Sequence, residues 1–135
     1  MVLRYHYTEV KVPTVLVVDD DPALTGLLTL FLRDAGYETI AANSGQRALE
    51  MVLQQRPDVV LLDLMMPIVS GSTVCREIKS NEATKHIPVI VISGDGRADT
   101  KTADVGADAC IVKPFELDEV LLNIRKFCGL TAMET

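Results

Sequence analysis

Five apolar runs of strand length punctuate the chain: "TVLVV" (14–18), "YETIA" (37–41), "DVVLL" (58–62), "PVIVIS" (88–93) and "DACIV" (108–112). They are rich in Val, Ile and Leu, and most do not alternate with polar residues. A strand with one wet face alternates, whereas a strand covered on both faces need not. The runs therefore describe a sheet buried on both sides, which a single chain achieves by laying helices over each face.

Helix-period patterns fill the gaps between the runs. Leu24, Leu27, Leu28, Phe31 and Ala35 recur at helical spacing behind Asp21 and Pro22, a capping residue and a favoured first helical residue, and Gly36 supplies the stop. Ser44 heads a second pattern carrying Leu49, Val52 and Leu53, which stops before Pro57. A third helix is expected from about Ser72 to Ser80. In the last, Leu117, Val120, Leu121, Ile124 and Cys128 form one apolar stripe with Gly129 beyond it. In "GRADTKTADVG" (96–106) only Ala98, Ala103 and Val105 hint at a helix, and a short one is expected there.

Strand and helix alternate five times, which implies right-handed βαβ crossovers and a parallel sheet between two helical layers. At 135 residues the chain fits one domain. That domain is expected over residues 14–129, with an extension at 1–13 and a tail at 130–135.

Charge and cysteine usage narrow the function. A net charge of −6 without a Lys/Arg cluster argues against direct nucleic-acid binding, which depends on basic surface. No apolar run approaches the roughly 18 residues of a membrane span, and "MVLRYHYTEVKVP" lacks a signal-peptide core. Cys75, Cys110 and Cys128 are odd in number and contain no C-x-x-C pair, so neither a zinc site nor a disulfide framework is suggested. His6 and His86 are isolated and read as surface or packing residues. The expectation is a cytoplasmic protein whose partners are proteins or cations.

One residue fits the buried-sheet pattern badly. "VVLLDLMMP" (59–67) places Asp63 directly after four apolar residues, and an ionised carboxylate is costly in an apolar interior unless it is paired, hydrated or metal-bound. Asp63 is either a capping residue at the surface or the centre of a site. Ligands of open α/β sheets bind outside the carboxyl ends of the strands. At those ends stand Asp19, Asp20 and Asp21, then Asp63, then Ser93 and Gly94, then Lys113 and Pro114. Asp21 reads as the cap of the following helix, which leaves Asp19 and Asp20 without that role. Adjacent carboxylates repel unless a proton or a cation reduces their charge. Oxygen ligands without His or Cys suit Mg²⁺, with Mn²⁺ as a substitute. Beside them Lys113 becomes a counter-ion or a phosphate clamp, and the Ser93 hydroxyl and Gly94 N–H can donate to an anionic oxygen. Acids, a divalent cation, a lysine and a hydroxyl are the parts used in phosphoryl transfer.

Through "VLVVDDDP", "VVLLDLMMPIVSG", "VIVISG" and "GADACIVKPF", in this order and spacing, the sequence resembles the response-regulator receiver domain of two-component signalling. The resemblance covers residues 14 to about 128. It implies a flavodoxin-like, doubly wound α/β fold: a five-stranded parallel sheet of order 2-1-3-4-5 with helices on both faces. It further implies that Asp63 is the phosphoacceptor, and that Asp19, Asp20, Asp63 and the backbone carbonyl of Met65 hold Mg²⁺. Ser93 and Lys113 match the hydroxyl and the lysine that meet the phosphoryl group, and the Lys113–Pro114 bond would be cis. The implied donor is a sensor histidine kinase or a histidine phosphotransfer protein, and the implied output is contact with a downstream protein. Such a chain is a signalling switch rather than an enzyme, catalysing only its own phosphoryl transfer and slow autodephosphorylation. The sequence ends without an output domain, as a stand-alone receiver or a fragment of a longer protein would.

Three departures from the family pattern stand out. Ser93 replaces the more usual Thr. Cys110 occupies the place, three residues before the lysine, where an aromatic side chain turns inward on activation. The stretch from Ser93 to Lys113 is short and rich in breakers, so a shortened helix is expected. Met65 and Asp95 border the path of the attacking water in this family, and a bulky Met65 would slow hydrolysis. Two other classes compete. A haloacid-dehalogenase-type phosphatase would use the D-x-D of Asp19 and Asp21, but Ala23 lacks the expected hydroxyl or branched side chain and Asp63 is left unexplained. A pseudo-receiver would keep the fold as an interaction module without phosphotransfer.

Overall fold

The computed structural model describes residues 12–94 and 103–129. Each apolar run forms its expected strand, with ends that shift by no more than a residue: β1 (Thr14–Val18), β2 (Glu38–Ala42), β3 (Val59–Asp63), β4 (Val89–Ser93) and β5 (Ala109–Val112). All neighbouring strands pair in parallel, in the order β2-β1-β3-β4-β5. This is the doubly wound sheet that the resemblance implies.

Side chains of a strand point alternately to its two faces, so a strand covered on both sides needs apolar residues at every position. In β1, Val15 and Val17 join Leu28 and Leu32 of α1 (Pro22–Asp34) and Val120 and Ile124 of the C-terminal helix, α4 (Leu117–Cys128). Leu16 and Val18 point the other way. They meet Ala48, Met51 and Val52 of α2 (Gly45–Gln55) and Val74, Cys75 and Ile78 of α3 (Gly71–Ser80). Burying each such Val, Leu or Ile is worth about 1.5–3 kcal/mol. The same burial raises the Cys75 thiol to about 11, because its thiolate would lie among apolar groups.

Capping chemistry sets the helix ends. The Asp21 carboxylate accepts from the Ala23 N–H at 3.0 Å, and Pro22 opens α1. Gly36 follows its end at φ 101°, a left-handed conformation that costs glycine little. Ser44 accepts from Arg47 N–H and Ser70 from Thr73 N–H, each at 3.2 Å. Helix α3 therefore starts at Gly71, slightly earlier than expected, because the Ser70 hydroxyl supplies the cap.

At the opposite end of the sheet from these caps, Lys79 ties α3 to the start of β5. Its Nζ lies 2.7 Å from Asp108 Oδ2 and 2.8 Å from the Ile87 carbonyl, while Asp108 Oδ2 also accepts from the Val89 N–H at 2.8 Å. The helix expected within 96–106 falls mainly outside the described residues, although residues 103–105 are helical. Except for Val12 and Pro13, the expected extension and tail also fall outside them. Among the described residues, no helix is long and apolar enough to cross a membrane.

Candidate functional site

Register builds the site as a staircase across four strand ends. Val18 pairs with Leu62, so Asp19 is set beside Asp63; Asp63 pairs with Ile92, which places Ser93 one step beyond. Ser93 in turn pairs with Val112, and Lys113 follows. Residues far apart in sequence are thus delivered to one edge by the pairing of apolar strands. The Lys113–Pro114 bond is cis.

Asp19 and Asp63 are buried, at 3% and 4% exposure, whereas Asp20 is exposed. One carboxylate oxygen from each of the three lies within 4.8 Å of the other two. Asp63 Oδ1 accepts from the Met65 N–H at 3.0 Å, and Asp19 Oδ1 from the Asp21 N–H at 2.9 Å. Asp19 Oδ2 is buried without any hydrogen-bond partner. Burial foremost raises the Asp19 carboxyl above its ordinary value; the Asp21 N–H opposes this, Asp63 adds to it, Lys113 opposes it and Asp20 adds to it. An orphaned buried oxygen costs free energy unless something binds it. All the donors are hard oxygens on a shared edge, so they fit a divalent cation of the Mg²⁺ type.

Lys113 Nζ stands 3.9 Å from Asp63 Oδ2. A direct charge-assisted hydrogen bond would be about 2.7–2.9 Å. The ammonium therefore balances the acids without being clamped to any one of them. The Ser93 hydroxyl belongs to a fully buried residue whose carbonyl accepts from Lys113 N–H at 2.8 Å. Gly94 is exposed, and among the described residues nothing lies within 4 Å of where its Cβ would stand. The Met65 side chain is largely exposed.

Asp21 gives its carboxylate to the helix cap and is not part of the three-acid group. The D-x-D reading of a phosphatase thus loses one of its two acids. Cys110 is half-buried and packs against the core beneath α2 and α3. Asp95 lies outside the described residues.

Two supporting residues escaped the reading of strand ends. A Cβ on Gly71 would collide with the Asp63 carbonyl and the Leu64 Cα, so glycine lets the start of α3 press against the end of β3. That need arises from tertiary approach and leaves no local signal. Asn43 directly follows β2, and its Nδ2 donates to the Asp19 carbonyl at 2.9 Å and to Thr25 Oγ1 at 3.2 Å. Its signal was available: it is the polar residue after the second strand, the same position that marked the other site residues. Beside Lys113 and Gly94, a groove of about 630 Å³ is walled by Leu24, Leu27, Phe115 and Leu117.

Residues 15–125 match the family model for the response regulator receiver domain. The DNA-binding dual master transcriptional regulator RpaA of Synechocystis is 38% identical over 115 residues, which cover 84% of this chain and 48% of that protein. The chain spans about half the length of the curated relatives it matches. Among solved structures, the chemotaxis protein CheY4 of Vibrio cholerae superposes with a TM-score of 0.80 at 27% identity, covering 86% of this chain and 98% of that one. The receiver domain of the sensor histidine kinase PA1611 of Pseudomonas aeruginosa, which has a magnesium ion coordinated in its active-site cleft, gives 0.79 at 25% identity, covering 87% and 98%.

Proposed function

The chain belongs to the response regulator receiver domain family of two-component signalling, and from that premise we propose that Asp63 is its phosphoacceptor. Asp19, Asp20, Asp63 and the backbone carbonyl of Met65 would hold Mg²⁺. The observation that carries this reading is the buried, unpartnered Oδ2 of Asp19 within 4.8 Å of Asp20 and Asp63, with Lys113 standing 3.9 Å from Asp63.

The donor on this reading is a phosphohistidine of a sensor histidine kinase or a histidine phosphotransfer protein. An Asp63 carboxylate oxygen attacks phosphorus; the O–P bond forms as the N–P bond breaks, and the electron pair leaves with the imidazole nitrogen. The product is an acyl phosphate on Asp63. Mg²⁺ held by Asp19, Asp20 and Asp63 would supply positive charge that offsets the negative charge of the transferred group. Lys113, unclamped at 3.9 Å, is placed to turn toward a phosphoryl oxygen, and the Ser93 hydroxyl and Gly94 N–H donate to others. Hydrolysis by water past Met65 returns the resting state, so the only chemistry is the chain's own phosphorylation and slow autodephosphorylation.

The phosphoryl charge then biases a surface that a downstream protein reads in the cytoplasm. RpaA is named as DNA-binding, but this chain covers about half of it and carries a net charge of −6. Protein contact is the output proposed for these residues. The test is phosphorylation by a small acyl-phosphate donor with Mg²⁺. The chain should label and Asp63→Asn should not; equal labelling of both overturns the assignment, and no labelling of either supports a pseudo-receiver.

A further inference from the structure

We propose that Asn43 is a positioning residue for Asp19, and that it holds the Asp19 carboxylate in its metal-binding place from the end of β2. The proposal rests on the reading of Asp19 as a Mg²⁺ ligand.

Asn43 makes two hydrogen bonds from a single atom. Its Nδ2 lies 2.9 Å from the Asp19 carbonyl and 3.2 Å from Thr25 Oγ1. The direction of both is fixed by chemistry. A carbonyl oxygen can only accept, and the Thr25 hydroxyl gives its own hydrogen to the Pro22 carbonyl at 3.1 Å, so its oxygen must accept as well. Both amide hydrogens of Asn43 are therefore committed, one to the start of the acidic loop and one to the first turn of α1. Thr25 is itself buried, so this second anchor does not drift.

Asp19 is consequently held from β2 at both of its backbone groups. Its N–H donates to the Ala42 carbonyl at 3.2 Å, and its carbonyl accepts from Asn43. Asp19 Oδ1 is held by the Asp21 N–H, which leaves Oδ2 as the buried oxygen without a partner in the three-acid group. Repulsion from Asp63 and Asp20 pushes this carboxylate toward water. The clip from Asn43 opposes that movement at the backbone, where the swing of the side chain would begin. An Asp of the same shape could not do so, because an ionised carboxylate has no hydrogen to donate.

The experiment is calorimetric titration of Mg²⁺ into the intact chain and its variants, with circular dichroism establishing that each is folded. Asn43→Ala should weaken Mg²⁺ binding by about tenfold or more, the usual scale for losing a partner that orients a ligand. Asn43→Ser, which cannot supply two amide hydrogens, should weaken it too, and carries the comparison if Asn43→Ala does not fold. Thr25→Val removes the branch to α1 and the Thr25 bond to the Pro22 carbonyl but leaves the bond from Asn43 to the Asp19 carbonyl, so it should weaken binding less than either Asn43 variant. Parent-like affinity in both Asn43 variants overturns the proposal. So does a loss in Thr25→Val as large as in the Asn43 variants, since that would be general loosening rather than positioning of Asp19. If the parent does not bind Mg²⁺, or Asp19→Asn binds as well as the parent, the metal-site reading itself is refuted and the positioning role falls with it.

Discussion

Replacing Asp19 with Asn should make the metal-free protein more stable while removing its ability to bind Mg²⁺. Asn keeps the shape and an oxygen that can accept from the Asp21 N–H, but deletes the charge. At the 4.8 Å limit of the acid cluster, two carboxylates repel by about 0.9 kcal/mol in water and by about 3.5 kcal/mol at an effective dielectric near 20. Asp63 is buried like Asp19 and its repulsion lies toward the larger figure; Asp20 is exposed and its repulsion lies toward the smaller. Loss of the attraction from Lys113 offsets part of the gain. A net stabilisation of roughly 1–3 kcal/mol is expected, which shifts a urea midpoint by about 1 M at slopes typical of small domains. The assay is urea unfolding in EDTA and again in excess Mg²⁺. In EDTA Asp19→Asn should be the more stable; in Mg²⁺ only the parent should gain. The advantage should also depend on pH. A carboxyl whose value is raised in the folded state takes up its proton there first, so its destabilising effect is present above that raised value and is relieved as pH falls through it toward 3.8. The gap between parent and variant in EDTA should therefore shrink on acidification. A variant no more stable than the parent in EDTA, or a gap that ignores pH, would refute the view of Asp19 as a strained, charge-crowded ligand.

Gly71→Ala should cost at least about 1–3 kcal/mol by overpacking, and should slow phosphorylation as well, because the added Cβ strikes the Asp63 backbone; urea unfolding and a labelling time course measure the two effects. Lys79→Met should cost about 1–3 kcal/mol in urea unfolding without abolishing Mg²⁺ binding, since it strands Asp108 and the Ile87 carbonyl far from the acids. Lys113→Met should slow phosphorylation by a small donor by about 10- to 150-fold, corresponding to the roughly 1.5–3 kcal/mol of a hydrogen bond to a charged group, as read from initial rates.

The sheet was legible because the chain needs apolar residues at every strand position when both faces are covered, and Val15 through Val18 show how the alternate faces are divided between two helical layers. The acids were legible for the complementary reason. Asp19, Asp63 and Lys113 interrupt or follow those runs at the one edge where an open parallel sheet binds ligands, and their charge has no use in the core. Asn43 obeyed the same rule but is neutral, so it raised no question of compensation until its two hydrogen bonds were seen. Gly71 was illegible in principle: its requirement comes from the Asp63 carbonyl lying across from it, and nothing near it in sequence encodes that approach.

The most direct test of the account is to locate the phosphoryl group. The chain is incubated with acetyl phosphate and Mg²⁺, reduced with borohydride to convert an aspartyl phosphate to homoserine, and mapped by peptide mass spectrometry. Homoserine at position 63, dependent on Mg²⁺ and lost in Asp63→Asn, is the expected result. Homoserine at Asp19, Asp20 or any other carboxylate, or none at position 63 in a chain that carries phosphate, would contradict it.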